Sequence, residues 1–219
     1  MIPEIRFTGD EKAPAVVTIG KHSTPVWIQQ LWTEGEYAKF IRENGCGHCC
    51  TAMALSLCGV ETTPYGEYML CREKFGAPKA NGEPTEENYH SVGGMVKIFS
   101  EFGIKAEYFG VPATKAEESA EHIENALKEG KLVIFWSHPS YKLPDNPFSP
   151  GEHYVLAVGI DKENRIVIAN SSSRSGAENG IQYTDKETIA KALFEGCEPK
   201  DFTWGRHDLK NSGGYVIVG

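Results

Sequence analysis

The chain has 219 residues, a net charge of −8 and a pI near 5.4, a balance that excludes nucleic acid and anionic membrane surfaces as natural partners because both require a basic face. Apolar residues make up 40 % and aromatic residues 11 %, enough to build one good-sized core or two small ones. No window reaches the length of a membrane span, and the N-terminus has no basic start followed by an unbroken apolar run; as given, the chain is expected in the cytoplasm, although a trimmed export signal would leave the same sequence.

In chain order, Glu4 to Thr8 and Ala15 to Ile19 are short β-type runs separated by Pro14, which predicts an N-terminal arm or hairpin over residues 1–25 ahead of one domain over 26–219. The segment His22 to Trp32 begins extended and carries large apolar groups. Residues 33–43 read as a short helix turning Tyr37, Phe40 and Ile41 inward. Cys50, Met53, Ala54 and Leu57 fall at helical spacing, with Gly59 placed as a C-terminal cap. Thr62-Thr63-Pro64 opens a further helix that runs to Phe75 and is closed by Gly76.

The turn-rich residues Ala77 to His90 are expected to be a solvent lid or the edge of a cleft. Val92, Met95, Val96, Phe99 and Phe102 mark a helix over Ser91 to Phe102, Ile104 to Phe109 a strand, Glu117 to Lys128 an acidic amphipathic helix, and Leu132 to Trp136 a buried strand. After a loop with four prolines, His153 to Ile160 and Arg165 to Asn170 form an antiparallel hairpin. Thr184 to Gly196 reads as a helix and Gly214 to Val218 as a closing strand. Helices crowd the first half and strands the second, which predicts an α+β fold with an antiparallel sheet packed on the cysteine-bearing helix.

Chemistry concentrates at Asn44-Gly45-Cys46-Gly47-His48-Cys49-Cys50. Unsatisfied amides and a partial positive charge at a helix N-terminus push a thiol toward the reactive thiolate. Gly45 and Gly47 are read as letting the backbone turn sharply and a carbonyl approach the sulfur. A nucleophile of this kind needs a base and a group that orients the base. His153 opens one strand of the hairpin and Asn170 ends the other, so antiparallel pairing sets the two side by side.

GCGHCCTAMAL (45–55), GEHYVLAVGID (151–161) and RIVIANS (165–171) together resemble the papain-superfamily peptidases related to the bacteriocin-leader-processing (double-glycine) cysteine peptidases. The resemblance implies a papain-like fold and hydrolysis of a peptide or small amide, with Cys46 as nucleophile, His153 as general base and later acid, and Asn170 orienting the imidazole. It also implies an upstream oxyanion-hole glutamine, for which Gln30 or Gln29 in VWIQQLW is the available match. His48 stands where relatives often carry proline, and Asn170 where many carry aspartate.

Other readings remain open. Cys46-Gly47-His48-Cys49 spells a thiol-disulfide redox pair, although no buried strand precedes it as in thioredoxin-like folds. A non-catalytic peptide-binding module could use the same fold. Cys46, Cys49 and Cys50 with His48 offer metal ligands, but Cys71 and Cys197 stand single where a closed tetrahedral site draws on a second pair; neither metal nor cofactor is expected. His48 is expected to be exposed, His138 and His207 to be loop histidines without partners, and His22, His90 and His122 carry no signal.

Overall fold

A computed structural model describes residues 2–7, 13–75, 91–139, 144–175, 179–198 and 213–219. The proposed lid over Ala77 to His90 and the histidines His90 and His207 lie outside the described residues. Near the N-terminus, β1 (Glu4–Arg6), β2 (Val16–Ile19) and β3 (His22–Pro25) form a three-stranded antiparallel sheet. Ala15, Val17, Ile19 and Val26 are buried in the same core cluster as Cys50, Met53 and Leu55, so this sheet is packed onto the main body.

Four helices follow: α1 (Ala38–Asn44), α2 (Cys46–Leu57), α3 (Pro64–Phe75) and α4 (Val92–Glu101). α1 buries Ala38, Phe40 and Ile41, as its sequence predicts. α2 is buried on nearly every side, including Cys49, Cys50, Ala52, Met53, Ala54 and Leu55. Its end is a Schellman arrangement: Gly59 sits at φ 93°, its N–H donates to the Ser56 carbonyl, and the Val60 N–H donates to that of Leu55, both at 3.0 Å.

The second half alternates strands with two helices: β4 (Ala106–Phe109), α5 (Ala116–Lys128), β5 (Leu132–Ser137), β6 (His153–Ile160), β7 (Ile166–Ala169), β8 (Ile181–Thr184), α6 (Lys186–Ala192) and β9 (Tyr215–Val218). The strands form one antiparallel sheet in the order β4-β9-β5-β6-β7-β8. Alternate residues divide between two cores. Ile134, Trp136, Leu156 and Val167 join the cluster containing α2 and α4, while Val133, Phe135, Val155 and Ile168 join the cluster containing α5 and α6. Both faces are covered, so β5 and β6 read as continuous apolar runs where a half-solvated sheet would alternate.

The closing strand does not lie at an edge. β9 inserts between β4 and β5, pairing Ile217 with Glu107 on one side and Val133 on the other. The expected helix over Thr184 to Gly196 is shorter: Asp185 caps α6 by accepting the Thr188 N–H at 2.7 Å, and Leu193 leaves the helix extended to bridge Ser137. Before it comes β8, whose first three residues carry no expectation from the sequence and whose last, Thr184, is expected to open the helix. Only Ile181 of its four residues is fully buried, so an outer strand with one inward side chain leaves little apolar pattern.

Gly180 leads into β8 at φ +83°, and a Cβ there would lie 2.5 Å from Val26 Cγ1. Its carbonyl accepts the Asn170 N–H at 2.7 Å. A side chain is therefore opposed both by the backbone conformation and by the N-terminal sheet. Gly180→Ala is expected to lower the unfolding free energy by more than about 1 kcal/mol; a urea midpoint equal to that of the unmutated chain would contradict this.

Candidate active site

α1 and α2 meet at Gly45, whose φ of −86° is ordinary, so the sharp-turn role expected of it is not what the structure requires. The constraint is space. An added Cβ would come within 2.3 Å of the Ile41 carbonyl, to which Gly45 N–H donates at 2.8 Å. Cys46 is the first residue of α2, and α2 packs against β6. The backbone N–H groups of Tyr154, Gly47 and Cys46 itself act on its half-buried sulfur in the direction that favours the thiolate. Desolvation outweighs them and holds the thiol above its ordinary value. The expectation that the helix mouth depresses this thiol is thereby corrected: three amides do not replace the water lost on burial.

Tyr154 directly follows His153, so the thiol meets β6 one residue from the imidazole. His153 is buried, and its Nε2 lies 2.9 Å from Asn170 Oδ1. The orientation of the Asn170 amide is set by its other bonds. Nδ2 donates to the Phe148 carbonyl at 2.9 Å and to Gln182 Oε1 at 2.7 Å, while Oδ1 also accepts the Ser172 N–H at 2.9 Å. With the oxygen facing the ring, His153 Nε2 must carry the hydrogen, and Nδ1 keeps its lone pair. Burial lowers the imidazole pKa to about 4, against a smaller upward effect of the Asn170 bond, so the ring is neutral at physiological pH.

Gln182 was not anticipated from the sequence. It lies on β8, donating through Nε2 to the Pro147 carbonyl at 2.7 Å while its Oε1 holds Asn170. The proline-rich loop is thus part of the support: Asn146 Nδ2 donates to Ser137 Oγ at 2.7 Å and Asn146 Oδ1 accepts the Phe148 N–H at 3.0 Å. The upstream glutamines belong to a 3-10 turn, Gln29–Leu31. Gln30 Oε1 accepts from Ser173 N at 2.9 Å, and buried Gln29 donates through Nε2 to the Arg42 carbonyl at 3.2 Å. The Gln29 backbone N–H donates to the Ser171 carbonyl at 2.8 Å, tying this turn to the end of β7. Neither side-chain contact involves Cys46.

His48 is not exposed. It is 1 % exposed, and its Nδ1 contacts Glu67 Oε2, while Glu67 Oε1 accepts from the Cys71 thiol at 3.1 Å. Burial pushes His48 down to about 3 and Glu67 up to about 8. The helix places His48 one residue before Cys49 and toward α3, a direction that the polar letter alone concealed. His138 also has partners, Glu152 at 3.7 Å and the Phe194 ring, and His122 Nδ1 is 2.8 Å from the Tyr215 hydroxyl. Cys49 is fully buried with its thiol held well above the ordinary value, the opposite of what an exchanging redox partner for Cys46 needs.

The model of the Peptidase_C39-like family matches residues 25–197. The chain belongs to this family. With that membership the α+β, papain-like class expected from the sequence stands. Among solved structures, one assigned as a C39-like peptidase from Bacillus anthracis is 15 % identical, with a TM-score of 0.49 over 88 % of this chain and 93 % of that one. The peptidase domain of Streptococcus ComA, a bi-functional ABC transporter of a quorum-sensing pathway, is 12 % identical, with a TM-score of 0.42 over 81 % and 92 %. No curated protein matches this chain. Among the described residues no helix is long and apolar enough to cross a membrane.

His153 links the site to stability. Its native pKa of about 4 lies below the ordinary 6.5, so between those values the unfolded chain binds more protons and stability rises with pH. Urea midpoints measured from pH 4 to 6.5 should climb more steeply for the unmutated chain than for His153→Gln. Equal slopes would show that the imidazole is not buried neutral.

Proposed function

We propose that the chain is a papain-like cysteine peptidase that cleaves a peptide-type amide through a thioester on Cys46. The observation that carries this reading is the oriented His153–Asn170 pair, one residue from the amide that favours the Cys46 thiolate. Both partners rest neutral, so the proton moves during attack. His153 Nδ1 takes the thiol proton as the sulfur bonds to the substrate carbonyl carbon, and returns it to the leaving amine when the C–N bond breaks. Water then attacks the thioester with its proton passing to the same nitrogen, releasing the acid and restoring the thiol.

The oxyanion falls to the backbone N–H of Cys46 at the helix start, with Gln30 as the assigned side-chain donor and Gln29 its neighbour. Asn170 keeps the productive tautomer. We take the peptidase unit as residues 26–219, with residues 1–25 supplying the flanking sheet that braces α2. The setting is read as cytoplasmic, supported by six free cysteines, and the partner as a peptide or small amide, since a charge of −8 disfavours nucleic acid.

A thiol-directed peptidyl probe should label Cys46 in the unmutated chain, fail on Cys46→Ala and slow about 100-fold or more on His153→Ala, with circular dichroism unchanged in both variants. The acid limb of the labelling rate should fall near pH 4, the His153 value. Labelling undiminished in Cys46→Ala would remove the hypothesis.

Gln182 touches no reacting atom and is expected to act by positioning Asn170. Gln182→Ala should lower kcat about tenfold, the equivalent of about 1.4 kcal/mol, with KM little changed. Gln182→Glu, which keeps an acceptor for Asn170 Nδ2, should retain most of the rate. Equal losses in the two variants would argue against this role.

A further inference from the structure

The contact of α2 with α3 contains a cluster that the proposed peptidase chemistry does not use. His48 from α2 and Glu67 and Cys71 from α3 each offer one ligand-type atom, and these three atoms lie within 4.8 Å of one another. Glu67 and Cys71 are four residues apart and therefore on one helix face. Exposures of 1 %, 2 % and 0 % remove all three from solvent. The Tyr68 ring stands edge-on to the imidazole at 5.1 Å, and Phe40 stacks on Tyr68 at 4.9 Å, so the surroundings are aromatic.

We propose that His48, Glu67 and Cys71 bind one divalent transition-metal ion, zinc being the best match, which ties α3 to the start of the nucleophile's helix. The donor set decides the class of ion. An imidazole nitrogen, a thiolate sulfur and one carboxylate oxygen suit zinc and its neighbours, whereas calcium and magnesium require oxygen shells. Charge points the same way. A neutral imidazole, a carboxylate and a thiolate carry two negative charges, which a divalent ion cancels inside a low-dielectric interior. Without the ion the cluster keeps two protons, one shared by His48 and Glu67 and one on Cys71; binding releases both, so atoms and charge balance.

Three protein donors leave one tetrahedral position, for water. The sequence pattern pointed away from this arrangement because it grouped His48 with the neighbouring cysteines and left Cys71 single. The fold instead turns Cys46 toward β6 and His48 toward α3, and brings the remaining donors from the next helix. The ion's role here is structural and independent of the peptidase reading.

The test is metal content of the full chain produced in zinc-supplemented medium and purified without chelator. About one zinc per chain is expected for the unmutated protein and for Cys46→Ala, and background levels for Cys71→Ser and Glu67→Gln. Retention in Cys46→Ala separates this site from adventitious binding at the nucleophile. Because a ligand variant that fails to fold would also lose metal, zinc-edge X-ray absorption of the unmutated chain supplies a second reading. One sulfur neighbour near 2.3 Å and nitrogen or oxygen neighbours near 2.0 Å are expected. Absence of zinc from the unmutated chain, metal lost with Cys46, or a shell without sulfur would each overturn the proposal.

Discussion

Both backbone polar groups of one residue, Tyr154, face sulfur atoms of a single helix. The Tyr154 N–H favours the thiolate of Cys46, and the Tyr154 carbonyl accepts from the Cys50 thiol at 3.4 Å, one helical turn further on. These contacts set the register of α2 against β6 at the point where the sheet begins. A shift of α2 along its axis would separate the Cys46 sulfur from the strand carrying His153. The hydrophobic core supplies the force that holds helix and sheet together, and the two sulfur contacts decide where along the sheet the helix stops.

The support behind His153 is built from segments with little regular structure. Asn170 directly follows β7, Gln182 lies on the outermost strand, and the carbonyls of Pro147 and Phe148 come from the proline-rich loop. Each polar group has a partner, so the Asn170 amide is prevented from flipping and the imidazole keeps one tautomer. A buried network of this kind is costly when incomplete and rigid when complete. That rigidity lets an asparagine, which carries no charge, orient a histidine whose own charge is suppressed by burial.

Electrostatics at the helix mouth run against the simplest reading of a helix N-terminus. Donors surround the Cys46 sulfur, yet loss of water dominates, so thiol and imidazole both rest uncharged. The same rule governs the contact of α2 with α3, where His48 is lowered and Glu67 raised by burial. Two cysteine-containing clusters therefore face opposite neighbours of one helix, one directed at the sheet and the other at α3.

The sequence by itself determined the element order apart from β8, the antiparallel hairpin that sets His153 beside Asn170, and the start of α2 at Cys46. Each of these rests on local periodicity or on the pairing of adjacent strands, which short-range pattern encodes. Only the tertiary structure decided that β9 lies in the sheet interior, that Gln182 holds Asn170, that His48 is buried against Glu67 and Cys71, and that the Cys46 thiol is raised. These depend on contacts between distant segments and on how much water each group loses, and neither quantity is present in the spacing of letters along the chain.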